Sequence, residues 1–451
     1  MPDSNQDLAK AAYIYGFPLV YDVNEVVSQT TTPKMATGAP VNLFGHAQKL
    51  GSPDDAFVSV NNDTLYSIAN CDVTSEPLVF HVPEAHDRYY VMQFVDAWTN
   101  NFAYVGRRAT GTGEGLYLLA GPDWSGETPA GMRLIPAPTN LFSIVGRFAV
   151  DGDAVVPNVA ALQAQTWVTP LSRYPELPVT EGRAFGDMTI APWNEAVPDD
   201  LVFWEKLRSW MQRFPPGDGD AAIIASLAPL GLTATESPYV NADPELAALL
   251  KSGAKAGQAE IEHLTRHGAV APVNGWASAL HSFDYNLDHL GPGTIDAPQW
   301  KIADRQKAYA VRAAAARGGL WGNHGYEADY AMTFVDDRNE QLNGAHAYVM
   351  HFDELPPVEA FWSITMYDVP RYYLVDNPIN RYSIGDRTPG LVYNPDGSLD
   401  LYIQRASPGA GRDANWLPAP AGDFRPLMRM YQPKAAVLDG NFVIPAIRRV
   451  G

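Results

Sequence analysis

The sequence has one cysteine, no long apolar run and no basic cluster, and each of these shortages excludes a class of protein. The single Cys71 rules out an intrachain disulfide and a metal cage made of thiolates. No run of about 18 uninterrupted apolar residues occurs, so we expect no membrane-spanning helix. Lys and Arg number 32 against 51 Asp and Glu, and the net charge of -19 disfavours nucleic acid and anionic membranes as partners.

Motifs for organic cofactors are missing as well. The chain contains no Gly-rich phosphate loop, no Gly-x-Ser-x-Gly elbow and no dinucleotide fingerprint. His263 and His267 lie one helical turn apart, but the Glu that a zinc protease helix places between its histidines is missing there. His281, His289 and His324 give a weaker metal signal still. We therefore expect no organic cofactor, and a bound metal ion stays open.

The first residues of the chain do not resemble an export signal. They lack a basic start, and Gly16 and Pro18 interrupt the apolar stretch from Ala11 to Val20. We therefore expect a cytoplasmic location for the chain as given, and a periplasmic or secreted one if a leader has been trimmed.

Length and composition indicate a globular protein of several domains that is rich in β structure. The chain has 451 residues, more than one core usually serves, and 46% of them are hydrophobic. Aromatic residues make up 11%, which favours pleated surfaces. The predicted fold class is mainly β with α, as two jelly-roll-like β-sandwich modules joined by a helical region. Local patterns place an N-terminal helix at 1–35, a β-sandwich at 36–155, a mainly helical region at 156–330 and a second β-sandwich at 331–451.

The two predicted β regions resemble each other, which indicates an internal repeat. In the first, an alternating strand begins around Tyr90 and ends at Asp96. In the second, such a strand begins around Trp362 and ends at Asp368, and in both the aspartate lies six residues after the aromatic residue. A chance match is the alternative, because alternating aromatic strands are common.

Each of these strands carries an apolar stripe that ends in a carboxylate. An acid at the rim of an apolar face is costly unless a cation, a hydrogen-bond donor or solvent meets it. Asp96 and Asp368 are therefore predicted either to serve as acids in a cleft or to accept backbone N–H groups in the turn that follows.

Polar residues gather at two other places in the first β region. The segment 61–66 contains Asn62, Asp63 and Tyr66, which suit either a turn or a cluster that holds a polyhydroxylated ligand. Arg107 and Arg108 are adjacent in a loop. We expect Arg108 to pair with Asp96 or Asp63, as a structural ion pair or as an anchor for a substrate carboxylate.

The second β region has a polar loop at 376–383, with Asn377, Arg381 and Tyr382. Trp98 in the first region and Trp416 in the second offer indole rings that stack on a sugar face or fill a core.

These motifs resemble two bacterial families known as domains of unknown function 1254 and 1214. The likeness to the first covers roughly residues 40–170 and rests on the segments 62–67, 88–90, 96–100 and 106–112. The likeness to the second covers roughly 330–447 and rests on 361–368, 376–383, 396–399, 415–420 and 431–433. The chain departs from the family pattern at Val60, where members often have Pro, and at Phe442, where they often have Trp. Many members also look exported.

The resemblance implies a β-sandwich at each end with helices between, and it implies no activity. From the residues themselves we expect an enzyme without an organic cofactor, of the hydrolase or lyase type, that acts on a small polar or carbohydrate-like molecule by carboxylate acid–base chemistry. The alternatives are a protein that binds a saccharide or other polar ligand without catalysis, and a metal enzyme with His and Asp ligands. A homo-oligomer stays open.

Two sets of residues carry these expectations. The catalytic set is Asp63, Tyr66, Asp96, Arg108, Asp368 and Arg381. The ligand-binding set is Asn62, Trp98, Asn100, Asn377, Tyr382 and Trp416.

Overall fold

The computed structural model describes residues 4–33, 35–54, 59–176, 191–268 and 271–450. It is mainly β, with two β-rich modules and a helical region between them, as the sequence predicts. Within the described ranges the helices are α1 (Asn5–Thr31), α2 (Val156–Gln163), α3 (Val202–Arg213), α4 (Ala221–Ser226), α5 (Pro244–His267), α6 (Arg305–Gly319) and α7 (Ala435–Leu438).

Helix α1 is the long N-terminal helix expected from the sequence, with Pro18 in its interior. Its N-cap is Ser4, whose side chain accepts a hydrogen bond from the backbone N–H of Asp7. Helix α5 packs against it through two glycines. A Cβ at Gly253 would lie 2.5 Å from the Cβ of Ala9, so only glycine permits this approach of the two helices.

The N-terminal β module consists of two sheets. Its strands are β1 (Phe44–His46), β2 (Thr64–Asp72), β3 (Leu78–Val82), β4 (Tyr90–Asp96), β5 (Asn101–Gly106), β6 (Gly115–Ala120), β7 (Arg133–Pro136), β8 (Leu141–Ala149) and β9 (Trp167–Pro170). The strand order is β1-β2-β8-β4-β5 in one sheet and β7-β6-β3-β9 in the other. Apolar side chains of both sheets, such as Phe80 and Phe94, form the core between them.

The C-terminal β module is built in the same way. Its strands are β10 (Trp276–Ser278), β11 (Ala328–Thr333), β12 (Ala347–Phe352), β13 (Val358–Asp368), β14 (Ser383–Gly385), β15 (Leu399–Gln404), β16 (Trp416–Pro418), β17 (Phe424–Pro433) and β18 (Ile447–Val450). The order is β10-β11-β17-β13-β14 in one sheet and β16-β15-β12-β18 in the other. The strands β9 and β10, and the first residues of β11, thus come from the range 156–330 in which the sequence predicts mainly helices.

The strand orders confirm the internal repeat. Adding nine to each strand number of the first module gives the order of the second, sheet by sheet. The pairs β6–β7 and β15–β16 are both parallel, whereas the other pairs are antiparallel. Strands β4 and β13 are equivalent in this repeat, and they end at Asp96 and Asp368 as predicted.

The sheet that contains β4 and β8 is covered on both faces. One face packs on the sandwich core, and the other packs partly on the helices through Trp98 and partly on the C-terminal module through Tyr89. For this reason every residue of β4, β5 and β8 is buried. At the contact between the modules, the Tyr89 ring meets those of Phe361 and Tyr431, each with a centroid distance of 5.5 Å.

Candidate functional site

Asp96 closes the turn after β4. Its Oδ1 accepts the backbone N–H groups of Trp98 and Asn100, at 2.9 and 2.8 Å, and its Oδ2 accepts the side-chain amide of Asn100 at 3.0 Å. Burial raises the pKa of Asp96, while His289 and Asn100 act against that rise. The geometry is that of a turn-closing acceptor.

Asp368 has the equivalent role in the second module. Its Oδ1 accepts the N–H of Tyr373 at 2.9 Å, and its Oδ2 is bound by Nε and Nη2 of Arg371 at 2.9 and 2.5 Å. Arg371 is largely exposed. The repeated aspartate therefore belongs to the architecture of the repeat.

Asp63, Asn62 and Tyr66 lie at the start of β2, against the other module. The Oδ2 of Asp63 accepts the hydroxyl of Ser363 at 2.6 Å. Asn62 donates to the carbonyl of Gly51 at 2.6 Å. The Tyr66 ring faces the buried guanidinium of Arg147, whose Cζ is 5.2 Å from the ring centre. These side chains join elements that are distant in the sequence.

The predicted partners of Arg108 are wrong. Its Nε donates to Oε2 of Glu327 at 2.5 Å, and one of its Nη atoms donates to the carbonyl of Gly293 at 2.7 Å. Neither Asp63 nor Asp96 binds it. The Glu327 side chain is 1% exposed, so this is a structural ion pair inside the contact between the modules.

Two predicted residues of the second module, Asn377 and Arg381, form hydrogen bonds with the backbone of its loops. One Nη of Arg381 donates to the carbonyls of Asp413, Ala414 and Trp416, at 3.0, 3.0 and 2.8 Å. Asn377 caps the same loop by accepting the N–H of Arg381 at 3.0 Å.

Neither predicted indole is open for a sugar to stack on. Trp416 is 3% exposed and donates to the carbonyl of Gln404, so the stacking interpretation is wrong for it. Trp98 is 2% exposed and donates to the carbonyl of Phe214. Tyr382 packs beside a buried cluster that contains Tyr367.

The predicted residues therefore form three separate groups. Asp63, Asn62, Tyr66 and Arg108 lie at the contact between the modules. Asp96, Trp98 and Asn100 face the helical region. Asp368, Asn377, Arg381, Tyr382 and Trp416 lie in the C-terminal module.

A groove of about 550 Å³ lies between the two β modules. We call it the arginine groove. Its volume falls in the range of small-molecule sites. Its walls are formed by Ala85, His86, Asp87, Arg88, Tyr89, Arg107, Ala149, Asp151, Asn158, Leu162, Glu359, Ala360, Phe361 and Arg387.

Equivalent parts of the two modules line this groove. Tyr89 and Phe361 are equivalent, because each precedes the aromatic residue in the equivalent strands β4 and β13. Gly106 and Gly385, which end β5 and β14, are also equivalent, but Arg107 follows its glycine directly whereas Arg387 lies two residues after Gly385. The arginine groove is thus assembled from the same parts of both modules.

The two glycines explain why the groove-lining loops begin where they do. A Cβ at Gly106 would lie 2.3 Å from the carbonyl oxygen of Tyr90, and a Cβ at Gly385 would lie 2.0 Å from that of Trp362. Gly106 also has a φ of +147°. The edge strands β5 and β14 therefore approach β4 and β13 closely. The loops that carry Arg107 and Arg387 begin after these two glycines.

Two of the groove arginines have no carboxylate partner in the described part of the chain. Arg88 donates to the carbonyl of Ala149 at 2.7 Å. Arg107 donates through one nitrogen to the carbonyl of Glu359 and to the side chain of Gln432, at 3.0 and 2.8 Å. The carboxylates of Asp87, Asp151 and Glu359 also line the groove, so Arg88 and Arg107 lack a direct ion pair in the described ranges but have acids nearby.

The third arginine lies flat on an aromatic ring. The Cζ of Arg387 is 3.4 Å from the ring centre of Phe361, and one nitrogen pairs with the exposed Asp151 at 2.6 Å. A guanidinium held on a ring in this way leaves its other face for a planar group. Arg107 and Phe361 belong to motifs noted in the sequence, whereas Arg387 does not. Arg387 reaches the groove only through the contact between the two modules.

Two protein families match the chain. The family described as Protein of unknown function (DUF1254) matches residues 41–170, and the one described as Protein of unknown function (DUF1214) matches residues 327–435. The chain carries both in tandem. The arginine groove lies between the two matched regions, with Arg88 and Arg107 in the first and Phe361 and Arg387 in the second.

The DUF1254–DUF1214 tandem shares its architecture with a solved structure. The VPA0106 protein from Vibrio parahaemolyticus aligns with a TM-score of 0.74 and 26% identity, over 99% of this chain and 100% of that one. An uncharacterized protein from Burkholderia cenocepacia aligns with a TM-score of 0.44 and 12% identity, over 100% of this chain and 91% of that one. A comparison with curated proteins gives no significant match.

No group of three or more His, Cys, Asp or Glu side chains in the described ranges is placed to hold a metal ion. None of the helices described above is long and apolar enough to cross a bilayer.

A buried histidine between Tyr104 and Tyr326 predicts acid sensitivity. His324 is 3% exposed, and its Nδ1 lies 3.0 and 2.9 Å from the hydroxyls of Tyr104 and Tyr326. Burial lowers the pKa of His324 from 6.5 to about 4. Between these pH values the unfolded chain binds the proton and the folded chain does not, so stability rises with pH across this window.

We expect the shifted pKa of this histidine to add about 3 kcal/mol to the free energy of unfolding at neutral pH. This contribution is lost as the pH falls to 4. Urea unfolding at several pH values measures the slope. The variant His324→Gln should show a smaller slope than the wild type, and an unchanged slope would contradict the assignment. His46, whose pKa burial also lowers to about 4, supplies the parallel variant His46→Gln.

Proposed function

We propose that this protein binds a small anionic molecule with a planar, partly apolar body in the arginine groove. The observation that carries the proposal is the pair Arg88 and Arg107, two cations without a carboxylate partner in the described residues, on the wall of a space of about 550 Å³. This is the polar-ligand alternative considered from the sequence, placed at a specific surface.

Guanidinium chemistry defines the ligand's head group. Arg88 uses one nitrogen on Ala149, and Arg107 uses one nitrogen on both Glu359 and Gln432. The remaining donors of each fork suit the paired oxygens of a carboxylate or phosphate. Leu162 and Ala360, which are half-buried, supply apolar surface for the body of the ligand, beside the outer face of the Arg387 guanidinium.

The acids at the groove do not favour acid–base catalysis. Asp151 is exposed and pairs with Arg387, Glu359 pairs with Lys434 at 3.3 Å, and Asp87 is exposed to solvent. The acids predicted from the sequence lie elsewhere and already accept two or more hydrogen bonds, or, for Asp63, one from Ser363. The hydrolase or lyase activity stays a prediction to which no groove residue is assigned.

Three probes of one shape and different charge test the proposal. Benzoate, benzamide and benzylamine carry the same ring with a negative, neutral and positive group. We expect benzoate to bind with a dissociation constant on the order of 1 mM, as its small size allows, and the other two to bind at least tenfold more weakly. Titration followed by two-dimensional NMR measures the three affinities.

Variants locate the site. Arg88→Met and Arg107→Met should each weaken benzoate binding about tenfold, the usual loss for one charge-assisted hydrogen bond. Arg133→Met on the exposed strand β7 is the matched control and should leave it unchanged. Equal affinity for the three probes, or equal loss in the control variant, would overturn the proposal.

A further inference from the structure

A second site lies on the far side of the β4 sheet from the sandwich core, where the turn after β4 meets α1 and α6. Arg312 on α6 is 6% exposed there. Its Cζ lies 5.6 Å from the ring centre of Tyr15, 5.4 Å from that of Trp98 and 5.4 Å from that of Tyr309. We call Arg312 and these three rings the aromatic cage.

The guanidinium in the aromatic cage has unused donors. Among the described residues, nothing accepts a hydrogen bond from Nε or Nη2 of Arg312, although both atoms are buried. The rings stabilise the positive charge through their faces, but they offer no acceptor oxygen in the guanidinium plane. Buried donors of a charged group are normally satisfied, so these two indicate a missing partner.

The neighbouring carboxylates are committed to other donors. Asp220 accepts the hydroxyls of Tyr15 and Tyr309, at 3.0 and 2.5 Å, and a nitrogen of Arg305 at 3.1 Å. Asp288 accepts both terminal nitrogens of Arg305, at 2.9 and 2.5 Å. Asp96 is bound by the turn that it closes. The missing partner of Arg312 is therefore not one of these acids.

The space in front of Arg312 is small. It measures about 20 Å³ and is enclosed mainly by polar and aromatic side chains, including Asn100 and His289. A single water-sized particle needs a little less than this. Two guanidiniums, of Arg305 and Arg312, line this space, and so do the two carboxylates of Asp220 and Asp288. The charges of these four groups sum to zero.

We propose that the aromatic cage binds one small monovalent anion, of the size of chloride or formate, against the free donors of Arg312. An anion supplies the acceptor that Nε and Nη2 of Arg312 lack among the described residues. The size of the space excludes larger anions. This site is separate from the arginine groove and does not depend on the function proposed for it.

Thermal unfolding in different sodium salts tests this site. At equal ionic strength, chloride and formate should raise Tm relative to gluconate, which is too large to enter. A shift of about 1–2 °C is expected at ten times the dissociation constant for a chain of this length. Comparing chloride with formate shows whether the site prefers a spherical ion or a carboxylate.

Two variants on the same helix make the result specific. Arg312→Met should abolish the difference between chloride and gluconate, while Arg317→Met, at an exposed position paired with Glu262, should preserve it. If Arg312→Met fails to fold, crystals of the wild type soaked in sodium bromide should show an anomalous peak beside Nε of Arg312. No salt-specific shift in the wild type and no peak would mean that water fills the space and would overturn the proposal.

Discussion

The variant Glu327→Ala should lose about 3–5 kcal/mol of unfolding free energy, the largest stability effect that we expect. Glu327 is buried and binds Nε of Arg108 at 2.5 Å, and the hydroxyl of Tyr89 lies 3.3 Å away. Removing the carboxylate leaves the guanidinium, whose side chain is 18% exposed, without its counter-charge. Urea unfolding of the variant and the wild type measures the loss.

A double variant separates the ion pair from its surroundings. Burial raises the pKa of Glu327, although Arg108 opposes that rise, which indicates that desolvation offsets much of the attraction. The double variant Arg108→Met with Glu327→Met should therefore be much less destabilised than Glu327→Ala alone. A double variant as unstable as the single one would show that packing, and not the unpaired charge, causes the loss.

The variant Asp96→Ala should lose about 3–4 kcal/mol, the second largest effect. The substitution removes the acceptor of two buried backbone N–H groups, those of Trp98 and Asn100, and of the Asn100 amide. Each buried donor left unsatisfied costs about 1–3 kcal/mol. Chemical unfolding again measures the change.

Two further substitutions check that the turn is the cause. Asp96→Asn keeps an acceptor for the backbone groups and should lose roughly half as much. Asp368→Ala removes the equivalent, more exposed aspartate, and should cost about 1 kcal/mol because solvent replaces part of what is lost. If Asp96→Ala unfolds at the wild-type denaturant concentration, the turn does not depend on this carboxylate.

The internal repeat could be predicted from the sequence because it depends on the local spacing of apolar residues. The strands that end at Asp96 and Asp368 alternate with the period of a sheet, and α1 follows helical spacing across Pro18. These features depend on neighbours within a few residues. The same patterns therefore recur in both modules, and the strand order confirms them.

The candidate sites could be predicted only in part, because their contacts are long-range. Arg108 meets Glu327 at a separation of 219 residues, and no local pattern distinguishes Glu327 from other acids. Arg107 is noted in the sequence only as the neighbour of Arg108, and the groove exists only where the second module brings Arg387 and Phe361 next to it. Arg312 carries no sequence signal beyond its place in an alanine-rich helix.

The most direct test of the arginine groove is a crystal structure of the protein soaked with 4-iodobenzoate, in which the anomalous signal of iodine locates the ligand. We predict an iodine peak in the groove, with the carboxylate bound to Arg88 or Arg107 and the ring beside Arg387. An empty groove at a saturating concentration, or a ligand bound only elsewhere, would contradict it.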